Sequence, residues 1–427
     1  MSISNKNYNF PNNLAQDQKI AGIYHEINSE LLKLLQNDTI SPKPLMVCGG
    51  GTSSRCTSEG HWTIDLRKNY QQLEFDKKNN EVVIESGINM EKLLKSLIEF
   101  NRSFPIGLSG ITGIGYILTG GISPLSRKYG LAIDQILEIS GYWGNGDKFH
   151  LYKPDLLSNE SHILQWKALC GAAPFFAIIT KIRLKTQKLN PLTIWETSLS
   201  PIQLAEIIEK AEEWPKSASL HWIWGNKIKC YGTYECDEKD KSNDLNKIIN
   251  EIPKGGDFLI SKIPNLLNLP QLNSHGNQLF NQRSYSEVIG LLGPSISTNS
   301  YDLIKRIKSL MKDRQNEYSY IAAQQLGGAT THEENNLSSF IHRDAIWKPW
   351  ISGSWNSRDK KGQEQSLKWM EQVWDELYTY FPGVHLAQIH PHLSWHKKEI
   401  KAAFKNWLPK LQQLKSKYDP KGNLPPL

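Results

Sequence analysis

The chain has 427 residues, of which 39% are hydrophobic and 22% charged, and its formal net charge is +7. That length exceeds a single ordinary core, so two domains are the default. The charge is scattered and no Lys/Arg cluster accompanies a recognised binding motif. Nucleic acid is therefore not expected as a partner, while a mild positive field suits an anionic ligand or cofactor.

The five cysteines (Cys48, Cys56, Cys170, Cys230, Cys236) are odd in number and form no C-x-x-C. Free thiols and a reducing, cytoplasmic compartment are expected. The first residues, MSISNKNYNFPNN, have no apolar core, so no secretory signal is expected. No run approaches ~18 apolar residues, so no membrane partner is expected either.

In chain order, residues 1–16 read as a loose polar arm. Ile20, Ile23, Tyr24, Ile27, Leu31, Leu34 and Leu35 then recur at helical spacing and predict one amphipathic helix. Two X-Pro pairs end it. Residues 45–48 read as a short apolar strand that runs directly into Gly49, Gly50 and Gly51, followed by Thr52, Ser53 and Ser54. Successive glycines let backbone N–H groups converge on an anion, and the hydroxyls add donors, so this run predicts a diphosphate cradle. An ordinary flexible loop is the competing reading.

Short strands are predicted at 62–66, 73–76 and 82–86, and a helix at 89–100 with Met90, Leu93, Leu94 and Leu97 on one face. Residues 107–134 hold seven glycines with Ile111, Ile114, Ile117 and Leu118 between them. A polar linker would lack those apolar residues. We expect a buried loop wrapped on a flat ligand. It is not a dinucleotide fingerprint, because Leu118 stands where the third glycine of G-x-G-x-x-G belongs, and no Walker motif is present. Strands near 135–140 and 148–152, a turn at 144–146, a helix at 162–169 and a strand at 176–184 follow. The run 237–247 (DEKDKSNDLNK) reads as a solvated loop or helix start.

These segments resemble, in order and spacing, the FAD-binding domain of the vanillyl-alcohol oxidase/p-cresol methylhydroxylase (PCMH-type) superfamily. The matching runs are Cys48 to Ser53, Trp62 to Leu66, Phe104 to Gly107, Thr112 to Gly115, Gly120-Gly121, Arg127 to Asp134, and Trp166 to Gly171 continuing through Ile179-Thr180. Leu326 to Ala329, Phe340 to Arg343, Trp355, Trp395, Asn406 to Leu411, Lys415 and Tyr418 to Pro420 resemble the berberine-bridge-enzyme-like branch. The likeness touches most of the chain and is poor over 190–315.

The resemblance implies an α+β fold. A two-part PCMH-type FAD-binding domain would cover 1–188. A substrate domain of antiparallel sheet and helices would cover 189–385, and a C-terminal segment, 386–427, would return to the FAD domain. Gly49, Gly50, Gly51, Thr52, Ser53 and Ser54 would hold the FAD diphosphate. Ser109, Gly110, Thr112, Gly113, Gly115 and Tyr116 would line the flavin and its linker, and Ile179 would offer backbone bonds. The implied function is an FAD-dependent oxidoreductase that takes a hydride from an alcohol, sugar or hydroxy-acid-like small molecule. Oxygen or another electron acceptor would re-oxidise it.

Three departures matter. Thr52 and Ser109 stand where many members carry the His and Cys that attach the flavin, so non-covalent FAD is expected. The glycine run before the 176–184 strand reads Gly171-Ala172-Ala173-Pro174-Phe175. The Tyr-x-Asn-Tyr near the C-terminus reads Gln388-Ile389-His390-Pro391, which loses the phenolic base. A catalytically degenerate flavin-binding protein is the alternative reading. His385, His390, His392 and His396 cluster, with no accompanying Cys or H-E-x-x-H, so no metal is expected. Pro391 favours an extended conformation at His390, which would point His390 and His392 to one side. His390 is expected against the flavin and His392 as the catalytic base.

Overall fold

A computed structural model describes residues 9–235, 242–254, 257–269, 284–332 and 337–427. The first part of the chain builds two larger sheets and a two-stranded one of Arg102–Ser103 with Gln187–Lys188. Gly22–Tyr24 and Met46–Cys48 flank Trp62–Asp65 in a parallel three-stranded sheet. Leu73–Asp76, Glu81–Glu85, Ala177–Lys185, Ile136–Trp143 and Lys148–Tyr152 form, in that order, an antiparallel five-stranded sheet. The helix Met90–Ile98 buries Met90, Leu93, Leu94 and Leu97, the face that its spacing predicts.

Two expectations are corrected here. The apolar spacing over 20–35 is not one helix: Gly22–Tyr24 is a strand, and the helix Ser29–Asn37 starts after Asn28, whose side chain accepts from the Leu31 N–H. Gly22 leaves room for the Trp62 ring, which lies where its Cβ would stand, so pairing with the neighbouring strand overrides the helical period. The N-terminal arm is also not loose from Phe10 onward. Phe10 is buried, and the Asn12 N–H donates to the Gly51 carbonyl at 2.9 Å.

The second part is an antiparallel eight-stranded sheet ordered Leu259–Ile263, Leu192–Leu199, Ile228–Glu235, Ala218–Trp224, Tyr320–Gln325, Trp347–Asn356, Ser284–Leu292 and Gly383–Val384. The helices Pro201–Glu212 and Lys360–Leu377 pack on one face, with Ser300–Lys312 against them. Gln325 Nε2 reaches the Ala211 carbonyl, and Gly353 leaves space for Met370. The opposite face looks toward the first part. We propose a domain limit at 188/189, because pairing passes to the large sheet between Gln187–Lys188 and Leu192–Leu199. The run 237–247 lies partly outside the described residues, and its remainder belongs to the helix Ser242–Glu251.

Residues after 386 return to the first part, consistent with the proposed limit at 385/386. Tyr418 stacks on Trp143 with centroids 4.2 Å apart. Asn423 donates to the carbonyls of Leu35 and Gly144, and Lys415 to that of Phe175. The two parts are tied by Arg127, whose guanidinium donates to the carbonyls of Ala218, Leu326 and Trp214 at 2.6–2.8 Å. Arg343 adds a bidentate pair to Asp134 at 2.9 and 2.8 Å. No helix among the described residues is long and apolar enough to cross a membrane.

Candidate active site

One large cavity of about 1410 Å³ lies between the glycine loops and the open face of the eight-stranded sheet. That exceeds the ~300–1,000 Å³ usual for a small ligand and leaves room for a large cofactor and a substrate together. Its wall includes Gly49, Gly50, Gly51, Thr52, Ser53, Ser54, Ser109, Thr112, Gly113, Gly115, Tyr116 and Ile179.

The cradle loop is built from the strand Met46–Cys48, which is paired with Trp62–Asp65 and points the chain into the cavity. Gly51 has φ +73°, a left-handed conformation that favours glycine. Among the described residues, no protein acceptor pairs with the backbone N–H of Gly50, Gly51 or Thr52. Unpaired amides at the wall of a cavity fit an anionic group such as the FAD diphosphate. Gly50 lies against Gly113, backbone to backbone, so the two glycine loops form one continuous surface. The Tyr116 hydroxyl accepts from the Ile122 N–H at 3.1 Å and donates to its carbonyl at 2.5 Å. Burial pushes that phenol well above its ordinary pKa, so it stays protonated.

Gly110 is not part of this wall. It packs against the helix Met90–Ile98, where its carbonyl accepts from the Glu91 N–H at 2.8 Å. The Ile179 carbonyl accepts from Ser86 Oγ, so that acceptor is already used.

The histidines are placed differently from the expectation. Residues 390–393 form a tight turn, with the Leu393 N–H donating to the His390 carbonyl, because Pro391 presets its second position. His390 and His392 still converge, but on a carboxylate. His392 Nε2 is 2.8 Å from Glu287 Oε1, its side chain is 42% exposed, and it is not on the cavity wall. His390 lines the cavity with Nδ1 2.6 Å from Glu399 and Nε2 3.3 Å from Glu287. Burial opposes its charge, yet the two carboxylates override it and raise its pKa to about 10. Glu287 is likewise disfavoured by burial but is pulled down to about 2 by His390 and His392. His390 is therefore an imidazolium with both N–H groups engaged, and it is not free to accept a proton. His385 is fully buried, which holds its pKa well below normal, and it contacts the Tyr116 ring edge-on at 6.1 Å. Among the described residues no group of His, Cys, Asp or Glu has the arrangement of a metal site.

The sheet side of the wall carries no motif visible in sequence. Ser286, Val288, Tyr320, Ser352 and Ser354 share one face, since Val288 pairs with Ser352, Ser352 with Tyr320, and Ser286 with Ser354. The period-two serines of 284–286 and 352–354 are the one sequence signal that marks this face. Farther along it, Lys348 pairs with Gln324, and burial lowers its pKa to about 7. Its Nζ lies 4.5 Å over the Trp350 ring. Ser54 Oγ donates to Glu287 at 3.0 Å, and Arg55 donates to the Leu386 carbonyl, so the cradle touches both the sheet and the C-terminal segment.

Residues 28–151 match the FAD binding domain family model. The chain is 31% identical over 169 residues to an FAD-linked oxidoreductase of Penicillium janthinellum, covering 39% of this chain and 36% of that protein. It is 24% identical to an FAD-linked oxidoreductase of Dictyostelium discoideum over 87% of this chain and 79% of that one. The structure superposes on Physcomitrella patens BBE-like 1 with a TM-score of 0.79 at 17% identity, covering 97% and 92% of the two chains. The chain thus carries an FAD binding domain over 28–151 and shares the fold of a berberine-bridge-enzyme-like protein over nearly its whole length. A chitooligosaccharide oxidase also shares the fold, with a TM-score of 0.77 at 15% identity over 97% and 92% of the chains. The match spans about a third of the length of the first curated relatives, 36% and 32%. The cradle and the second glycine loop face the antiparallel sheet across the cavity.

Proposed function

We propose that the protein is an FAD-dependent oxidase or dehydrogenase acting on a small hydroxylated substrate, an alcohol, sugar or hydroxy acid. One observation carries this reading: a single cavity runs from the unpaired amides of the cradle to a hydroxyl-bearing sheet face. When bound, FAD supplies the acceptor for a hydride from a substrate C–H. The amides of residues 50–52 would hold its diphosphate. Ser286, Tyr320, Ser352 and Ser354 would orient substrate hydroxyls, and burial raises the Tyr320 pKa, which keeps that phenol a donor. Structural neighbours named chitooligosaccharide oxidase and carbohydrate oxidase favour a sugar-like substrate.

Thr52 and Ser109 support non-covalent FAD, because neither side chain matches the His or Cys of attached members. For the substrate proton we assign Lys348, a buried amine on the same sheet face as Ser352 though beyond the residues that line the cavity, whose pKa burial lowers to about 7. Oxygen or another acceptor would complete the cycle. A reducing, cytoplasmic location is supported by the free state of Cys48, Cys56, Cys170 and Cys230; Cys236 lies outside the described residues.

The commitment of His390 to two carboxylates favours a second reading, a flavin-binding protein without catalysis. The FAD-loaded protein, mixed without air with sugars, alcohols and hydroxy acids, separates the two. Loss of the yellow absorbance with at least one compound is expected. Retention with every compound supports the second reading.

A further inference from the structure

Cys48 ends the strand that leads into the cradle, and Cys56 ends the 3-10 turn Ser54–Cys56 that follows it. Both are buried, and both belong to one small apolar cluster with Phe10 and Ala15. Their side chains pack together there, close enough for each thiol to act on the proton affinity of the other. They thus meet behind the loop whose front holds the unpaired amides. Cys56 also lines the cavity, so it borders the space that a small oxidant would enter.

We propose that Cys48 and Cys56 form a redox-active dithiol, which hydrogen peroxide converts to a disulfide when the cradle is empty, and which bound FAD shields. The oxidation does not depend on the flavin reading; the shielding rests on it. The chemistry balances in two steps. The Cys56 thiolate attacks one peroxide oxygen, breaking the O–O bond, and gives a sulfenic acid and hydroxide. The Cys48 sulfur then attacks the sulfenic sulfur and forms the S–S bond. The sulfenic oxygen leaves as water with the Cys48 proton. The hydroxide takes up the proton that Cys56 released on ionising, so two thiols lose two electrons and one peroxide is reduced to two waters.

The surroundings favour Cys56 as the attacking sulfur. The neighbouring Cys48 thiol is the largest cause that lowers its pKa to about 7; burial opposes, while a bond from Ser53 and the Arg55 and Arg67 charges assist. Cys48 is pushed the other way, first by the Cys56 thiol and then by burial, so it remains the resolving thiol. A diphosphate placed on residues 50–52 brings negative charge toward the Cys56 thiolate and disfavours it. It also closes the path through the cavity.

The test uses the full-length protein, stripped of flavin or loaded with FAD, treated with hydrogen peroxide and quenched with a maleimide. Trypsin cleaves after Arg55, which puts Cys48 and Cys56 on separate peptides joined only by a disulfide. A cross-linked pair lacking two hydrogens is expected in the flavin-free protein. With FAD at 100 times its Kd, formation slows by up to about 100-fold, the ratio of total to free cradle. If both cysteines stay open to the maleimide, or pair with other cysteines, the dithiol proposal is overturned. If cross-linking is equally fast in visibly yellow, FAD-loaded protein, the shielding is overturned and the dithiol stands. Cys56→Ser should abolish the cross-link, whereas Cys48→Ser should leave a sulfenic acid that dimedone traps. Neither result with dimedone nor cross-link would place the attacking sulfur elsewhere.

Discussion

The backbones of Gly50 and Gly113 touch: a Cβ built on Gly50 would stand 2.3 Å from the Gly113 nitrogen, and one on Gly113 would stand 2.6 Å from the Gly50 nitrogen. Two glycine runs sixty residues apart thus make one wall. The need for glycine at position 50 comes from this contact, while the left-handed backbone belongs to Gly51.

Gly50→Val and Gly113→Val should therefore both weaken FAD binding and lower stability, the latter by about 1–3 kcal/mol as overpacking usually does. Urea midpoints and a fluorescence titration with FAD measure the two effects. A parent-like midpoint and Kd in either variant would show that the loops separate freely.

Acid precipitation should release all flavin into the supernatant, because Thr52 and Ser109 occupy the attachment positions. A yellow pellet would direct attention to Cys56 and His390, which line the same cavity.

His392→Ala should reduce flavin at a rate within about threefold of the parent, since the Nε2 of His392 is engaged by Glu287. Lys348→Met should lose about 10²–10⁴-fold, the usual contribution of a general base. Stopped-flow reduction with a bleaching substrate measures both. A large loss in His392→Ala with none in Lys348→Met would reverse the assignment.

The Glu287–His390–Glu399 network makes stability depend on pH at both ends. The folded pKa of His390 is raised, so its contribution is complete below the unfolded value of 6.5 and is lost as pH rises through about 10. The folded pKa of Glu287 is depressed, so its contribution is complete above 4.5 and is lost as pH falls through about 2. Glu399→Gln leaves His390 with one carboxylate and should cost about 3–5 kcal/mol near pH 6, as removing one partner of a buried pair does. That gap should shrink toward pH 10 in thermal melts. A gap constant from pH 6 to 10 would mean that His390 is neutral throughout.

Much of the flavin-facing half was legible in the sequence because its signals are local. A strand followed by Gly49-Gly50-Gly51, and apolar positions recurring along 90–97, depend on neighbours in the chain. The resemblance then supplied the order of the pieces. The 22–24 strand was missed for the opposite reason: only its partner Trp62–Asp65, about forty residues away, makes it a strand rather than a helical turn.

The C-terminal histidines show the same division. Composition and spacing determined that His390 and His392 lie near each other, and Pro391 determined that the chain is constrained there. Which groups they meet was decided by the tertiary structure, which brings Glu287 from a sheet strand and Glu399 from a helix to the same buried point. In a region shielded from water, charge pairing dominates the proton affinity of an imidazole. Two carboxylates from distant segments thus turn an expected base into a fixed cation. The thiols follow suit: the sequence by itself determined two cysteines eight positions apart, and only the return of the cradle loop on itself placed them in contact.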